Sequence, residues 1–194
     1  MDRFVIVVDA QRDFMAAGGA LSVPGADALI APLRQWLADL DPGEIAGILF
    51  TFDTHEREAY AGSAEAAEFP LHCERGQPGW QLVADPDSVD PLIPRFRLEK
   101  GVFSMWAESD LVVRDMHGGA GRPRDAFFDD LKRNGIDTIT VVGVAADYCV
   151  RWAIDGLVAR GFRIEVPAAL TRGIARQIDT VAAESWPATA VSLV

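Results

Sequence analysis

The 194-residue chain carries only two cysteines, Cys73 and Cys149, and three histidines. Two cysteines in unlike contexts make no disulfide framework, so a reducing, cytoplasmic setting is expected. Long apolar runs are also missing. Phe4 to Val8 is too short for a signal-peptide core or a membrane span, and no later run is long enough. Basic side chains are in deficit: 18 Lys and Arg against 29 Asp and Glu give a net charge of −11. That excludes the clustered positive surface needed for nucleic acid or anionic lipid, and leaves a small molecule as the expected partner. Repeats and low-complexity tracts are absent. The segments Gly76 to Pro94 and Gly118 to Pro123 read as surface loops, not linkers, so residues 1–194 are read as one domain.

What is present is a hydrophobic fraction of 49%, enough for a sizeable core without a staple. Phe4 to Val8 is continuously apolar and β-rich, the pattern of a strand buried on both faces. Further strands are expected at Ile45–Phe52, Arg95–Leu98, Thr138–Val144, Phe162–Val166 and Ala190–Val194. Helical spacing marks Ala26–Leu40, Arg124–Asn134, Tyr148–Arg160 and Ile174–Ser185. Glu56 to Pro91 has no regular period, and so long an excursion in a compact domain is usually functional or disordered. Alternating strands and helices predict an α/β fold: a three-layer α/β/α sandwich on a mainly parallel sheet of about six strands.

Chemistry-bearing residues fall at the strand ends. Asp9, Asp53 with His55, Lys100 and Cys149 each follow a strand, and in parallel sheets those ends share the edge where ligand crevices form. Cys149 stands where a helix begins, next to unpaired amides and the positive end of the helix dipole. It reads either as a nucleophile or as a small buried helix residue. As a nucleophile it needs Asp9 to accept its proton and Lys100 to hold the charges and depress the thiol pKa; otherwise Asp9 is a cap and Lys100 a surface lysine. Asp53 and His55 point to one side of an extended backbone. They read as half of a divalent-metal site with His72 as a candidate third ligand, or all three as strand-end and loop hydrogen bonders. His117 looks exposed. Cys73, in a loop beside His72, is the second-ranked thiol.

Five motifs in order then resemble the isochorismatase-like cysteine hydrolase superfamily, and most closely its nicotinamidase (pyrazinamidase) branch. These are Asp9-Ala10-Gln11-Arg12-Asp13-Phe14, Asp53-Thr54-His55, Phe69-Pro70-Leu71-His72-Cys73 with Gly76-Gln77-Pro78-Gly79, Lys100-Gly101, and Gly143 to Val150. The resemblance spans almost the whole chain. It implies a catalytic trio of Asp9, Lys100 and Cys149. It also implies a divalent ion (zinc, iron or manganese) on Asp53, His55 and His72. A cis peptide at Val144–Ala145 is implied as well, with the Ala145 and Cys149 amides as oxyanion hole. Phe14 and Phe69 would wall the substrate ring, Phe69 standing where nicotinamidases often carry tryptophan.

The implied function is metal-assisted hydrolysis of a small carboxamide, nicotinamide to nicotinate and ammonia, through a thioester, by a homodimer or homotetramer. The alternatives are another small amide, the vinyl ether of isochorismate, or a non-catalytic ligand-binding protein. Two departures stand out. No histidine follows Asp53-Thr54-His55 until His72, leaving Glu56 and Glu58 as the nearby acids, and Phe103-Ser104-Met105-Trp106 puts bulky residues after Lys100-Gly101.

Overall fold

The computed structural model describes residues 3–186 and 190–194; Met1, Asp2 and residues 187–189, within the expected domain, lie outside the described residues. In chain order the elements are β1 (Arg3–Val8), α1 (Arg12–Met15), α2 (Ile30–Ala38), β2 (Ile45–Asp53), α3 (Arg57–Tyr60), β3 (Arg95–Lys100), β4 (Val112–Asp115) and β5 (Arg122–Pro123). They continue with α4 (Arg124–Arg133), β6 (Thr138–Val144), α5 (Cys149–Ala159), β7 (Arg163–Val166), β8 (Thr171–Arg172), α6 (Ile178–Ser185) and β9 (Val191–Leu193). The strands form one sheet in the order β5-β4-β3-β2-β1-β6-β7-β9, with β8 pairing the end of β6. All pairings are parallel except those of β3 with β4 and β4 with β5.

β1 is apolar throughout because both of its faces are covered. Phe4, Ile6 and Val8 pack with Phe127 and Phe128 of α4 and Ile154 and Leu157 of α5. Val5 and Val7, pointing the other way, pack with Leu33 and Leu37 of α2. The period-two alternation of one strand thus feeds two cores, one on each side of the sheet, and gives the three layers. Each such side chain contributes roughly 1.5–3 kcal/mol on burial. α5 stops at Gly161, whose φ of +79° reverses the chain so that Phe162 N bonds Leu157 O at 3.1 Å.

The sheet has nine strands instead of about six. The six expected strands are all present; the additions are the charged β4 and the two-residue β5 and β8, too short to leave an alternating pattern. Two helices start later than their periodicity suggests. A 3-10 turn at Asp27–Leu29 precedes α2, and residues 174–176 before α6 spend their amides on the Asp147 carboxylate. Among the described residues no helix is long and apolar enough to cross a membrane.

Candidate active site

Register brings the strand ends together. Asp53 is the pairing partner of Lys100 across β2 and β3, and Val8, just before Asp9, pairs with Gly143. A side chain at Gly143 would begin 2.1 Å from the Val8 carbonyl, so β6 approaches β1 closely only because this residue has none. Lys100 Nζ lies 2.8 Å from Asp9 Oδ2, 3.1 Å from Asp53 Oδ1 and 3.7 Å from Cys149 Sγ. All four residues are buried. Burial alone would strip the lysine of its charge, but Asp53, Asp9 and Cys149 outweigh it and hold the ammonium well above the usual lysine range.

The thiol moves opposite to expectation. Burial pushes Cys149 well above the usual cysteine range; Lys100 pulls it down, and Asp9 and Asp53 push it up again. A helix terminus is worth at most about 2 kcal/mol, whereas an ion taken from water costs several. Burial thus opposes the pull that the helix terminus and Lys100 exert on the thiol. Val144–Ala145 is cis. In the turn that follows, Ala146 N bonds Arg172 O at 2.8 Å, while Tyr148 and Val150 both bond Ala145 O. Among the described residues the amides of Ala145 and Cys149 have no backbone acceptor.

Beside this trio lies a second cluster. Asp53, His55 and His72 come together with a fourth residue, Glu65, and one ligand atom from each lies within 4.8 Å of the others. His55 Nε2 and His72 Nε2 stand 3.1 and 3.0 Å from the same oxygen, Asp53 Oδ2. Glu65 Oε1 is buried, 3.3 Å from His72 Nε2, and accepts no hydrogen bond. Two carboxylates and two imidazole nitrogens facing one point, with a carboxylate oxygen orphaned there, fit a divalent metal ion. His72 Nδ1 donates to Pro70 O at 2.8 Å, which fixes the ring and aims Nε2 inward. Burial would lower the His72 pKa, but the neighbouring Asp53 and Glu65 carboxyl groups push it up to about 10. Burial raises Asp53, and Lys100 with the two histidines takes it well below the usual carboxylate range.

Glu65 was not legible in the sequence. The nearby acids Glu56 and Glu58 do not join the cluster; Glu56 pairs with Arg75 at 2.6 Å. The opening motif, by contrast, proves to be scaffold as well as chemistry. Gln11 accepts from Asp53 N at 2.8 Å and donates to Asp53 O at 2.9 Å, fixing the main chain of a cluster residue. Asp13 Oδ2 accepts from Cys73 N at 2.7 Å, where φ is +45°, and so holds the bend beside His72. Burial, then Asp53, Asp9 and Asp13, push the Cys73 thiol far up, which makes it inert. His117 is exposed and bonded to Arg95.

Cys149 of the trio and Asp53, Glu65 and His72 of the cluster open onto one pocket, lined by both expected aromatics, Phe14 and Phe69, together with Phe103, Tyr148, Leu21 and Ile174. Asp53, Glu65 and His72 lie on one part of its wall, Ala145 and Cys149 on another. Phe103, one of the bulky residues after Lys100, sits 5.8 Å from Phe69 and 5.7 Å from Tyr148, centroid to centroid, closing an aromatic wall. Phe14 packs 5.2 Å from the His72 ring.

No family model matches the chain. It is 29% identical over 195 residues to the nicotinamidase/pyrazinamidase of Mycobacterium tuberculosis, covering 99% of this chain and 98% of that protein. It is 30% identical over 169 residues to the nicotinamidase of Acinetobacter baylyi, covering 78% and 72%. Among solved structures, the pyrazinamidase of Pyrococcus horikoshii in complex with zinc superposes with a TM-score of 0.74 at 25% identity, covering 100% of this chain and 99% of that one. With that likeness running the length of a chain whose five motifs converge on one buried site, the protein belongs to the isochorismatase-like hydrolase superfamily, in its nicotinamidase branch.

Proposed function

We propose that this hydrolase of amide C–N bonds acts on nicotinamide, releasing nicotinate and ammonia through a Cys149 thioester. The observation that carries the reading is the adjacency, at one aromatic pocket reached by Cys149, Asp53, Glu65 and His72, of the Asp9–Lys100–Cys149 contacts with the Asp53–His55–Glu65–His72 cluster. The named activities of the relatives support the choice of amide.

Asp9 takes the thiol proton as the sulfur electron pair attacks the amide carbon, so thiolate forms only where it is used. Lys100 stays charged throughout and compensates the growing negative charge. The Ala145 and Cys149 amides donate to the oxyanion of the tetrahedral intermediate. Asp9 then returns the proton to the departing nitrogen, the C–N bond breaks, and the acyl group is left on sulfur. Water, deprotonated by Asp9, cleaves the thioester and regenerates the thiol. Phe14, Phe69, Phe103 and Tyr148 select a small flat ring and exclude bulk water. Asp53, His55, Glu65 and His72 would hold a divalent ion, zinc on this donor set and on the zinc complex of the neighbour, which would supply a Lewis-acidic anchor for a substrate heteroatom. The same reading takes residues 1–194 as one catalytic domain, cytoplasmic and homo-oligomeric as a dimer or tetramer.

The test is ammonia release across small aromatic and aliphatic amides, with and without chelator, and pyruvate release from isochorismate. Nicotinamide as the preferred, chelator-sensitive substrate is expected. Pyruvate release, or an untouched amide panel, would overturn the reading.

A further inference from the structure

Thr51 lies in β2 between Phe50 and Phe52, one side chain out of phase with both and buried to 1% exposure. A valine would fill that volume, and a buried hydroxyl is costly unless its bonds are satisfied. Here both are made to one residue. Thr51 Oγ1 accepts from Asp9 N at 3.1 Å and donates to Asp9 Oδ1 at 2.6 Å. A hydroxyl has a single proton, so the first bond orients the oxygen and the second commits its hydrogen. The clamp closes on an aspartate held at φ +45°, a conformation seldom taken by residues other than glycine. The other oxygen, Oδ2, faces Lys100 Nζ at 2.8 Å and accepts from no further group. Oδ2 thus shares Lys100 Nζ with Cys149 Sγ, which lies 3.7 Å from that nitrogen.

We propose that Thr51 is a positioning residue that, by occupying Oδ1, fixes Oδ2 of Asp9 as the atom receiving the Cys149 proton. The S–H bond breaks, an O–H bond forms on Oδ2, and the sulfur electron pair goes to the amide carbon. With Oδ1 held from β2 and Oδ2 held from β3, the carboxylate neither rotates about its last bond nor swaps its oxygens. The inference rests on the reading of Asp9 as the proton acceptor. It also explains why β2 alternates chemistry on one face: Thr51 serves the trio and Asp53, two residues on, serves the metal cluster.

The experiment compares T51V, T51S and D9N in the full-length, zinc-replete enzyme by nicotinamide kinetics and thermal unfolding. Loss of the hydroxyl in T51V is expected to lower kcat by about 10- to 100-fold, with KM within about threefold of wild type. T51S, which keeps the hydroxyl and loses a methyl, should return kcat to within about threefold. A cavity effect alone would do the reverse, sparing T51V and hurting T51S. Should T51V fail to fold, T51A removes the same hydroxyl and is expected to show the same loss. A folded T51V with wild-type kcat, or a T51S as slow as T51V, overturns the proposal. D9N separates the two levels: an active D9N overturns Asp9 as the base, whereas an inactive D9N beside a wild-type T51V overturns only the role of Thr51.

Discussion

The two halves of the pocket are built by different means. Asp9 and Lys100 sit at strand ends and Cys149 at the start of α5 after the turn from β6, brought together by the pairing of β1 with β2 and β6 and of β2 with β3. The metal-type cluster has one strand residue, Asp53; His55, Glu65 and His72 come from an irregular excursion. That excursion is held by side chains bonded to backbone: Asp13 to Cys73 N at 2.7 Å, and the Tyr60 hydroxyl 3.0 Å from the Phe69 and Pro70 carbonyls. On the proposed reading a sheet edge fixes the atoms that react, while a pinned loop supplies those that would hold an ion and shape the pocket. Lys100, touching Asp9 and Asp53 alike, is the bridge between them.

The largest effect separates the halves from the chemical side. Cys149→Ala is expected to reduce ammonia release by at least about a thousandfold. It should leave bound metal, measured by elemental analysis after dialysis, and the unfolding midpoint close to wild type. Retained turnover would remove Cys149 as nucleophile, and lost metal would make the two halves one unit.

Glu65→Gln approaches from the other side. A neutral amide is a poorer ligand than a carboxylate, and losing even an outer partner of a metal site costs about 10- to 100-fold in affinity or activity. A loss of at least that size in zinc affinity, by competition with a chelator, is expected. Alkylation of Cys149 by iodoacetamide should stay unchanged. If it shifts with Glu65→Gln, the coupling through Asp53 and Lys100 is strong enough that loop and strand ends do not act separately.

The same contrast decides what could be read from the sequence. β1, β2 and β6 were visible because burial on both faces leaves long apolar runs, and β3, β7 and β9 as short β-rich segments between turns and helices; β4, β5 and β8 were not, being two to four residues at edges or strand ends. Asp9, Asp53 and His55 were visible because a polar residue that ends an apolar strand breaks the pattern, Lys100 because it closes the next strand, Cys149 because it opens a helix after an apolar strand, and His72 because histidine is scarce here. Glu65 was hidden among Glu56, Glu58, Glu68 and Glu74 in a stretch with no period to single one out. Thr51 was hidden for another reason: in a strand, a β-branched residue reads as filler, and only its two bonds to Asp9 reveal the hydroxyl's use. The sequence argument for a depressed thiol pKa failed because dipole and lysine were weighed without the burial that opposes them.

That failure gives a third, intermediate effect. With the thiol held well above the ordinary value of 9.0, alkylation of the substrate-free enzyme should climb about tenfold per pH unit through the alkaline range. Burial disfavours the thiolate, so the curve lies to the high-pH side of a free cysteine. A plateau near neutrality would mean a resting thiolate, and would return to the helix terminus the role here given to Asp9.

The smallest effect probes where strand end and loop meet behind the nucleophile. Asp147, two residues before Cys149, accepts from Ile174 N at 2.9 Å, Ala175 N at 2.8 Å and Arg176 N at 2.9 Å. These bonds strap the segment carrying Ile174, a pocket wall, to the turn that carries Ala145. In Asp147→Asn the charge is lost, and an amide oxygen can serve these donors only from one side. Hydrogen bonds to a charged acceptor are worth about 1.5–3 kcal/mol, which for a chain of this size lowers the melting temperature by roughly 3–12 °C. Because Ile174 touches the substrate pocket and not the reacting atoms, KM should rise by more than kcat falls. A variant that keeps KM and loses kcat would instead mean that the strap positions Cys149, placing Asp147 with the strand ends and not with the loop.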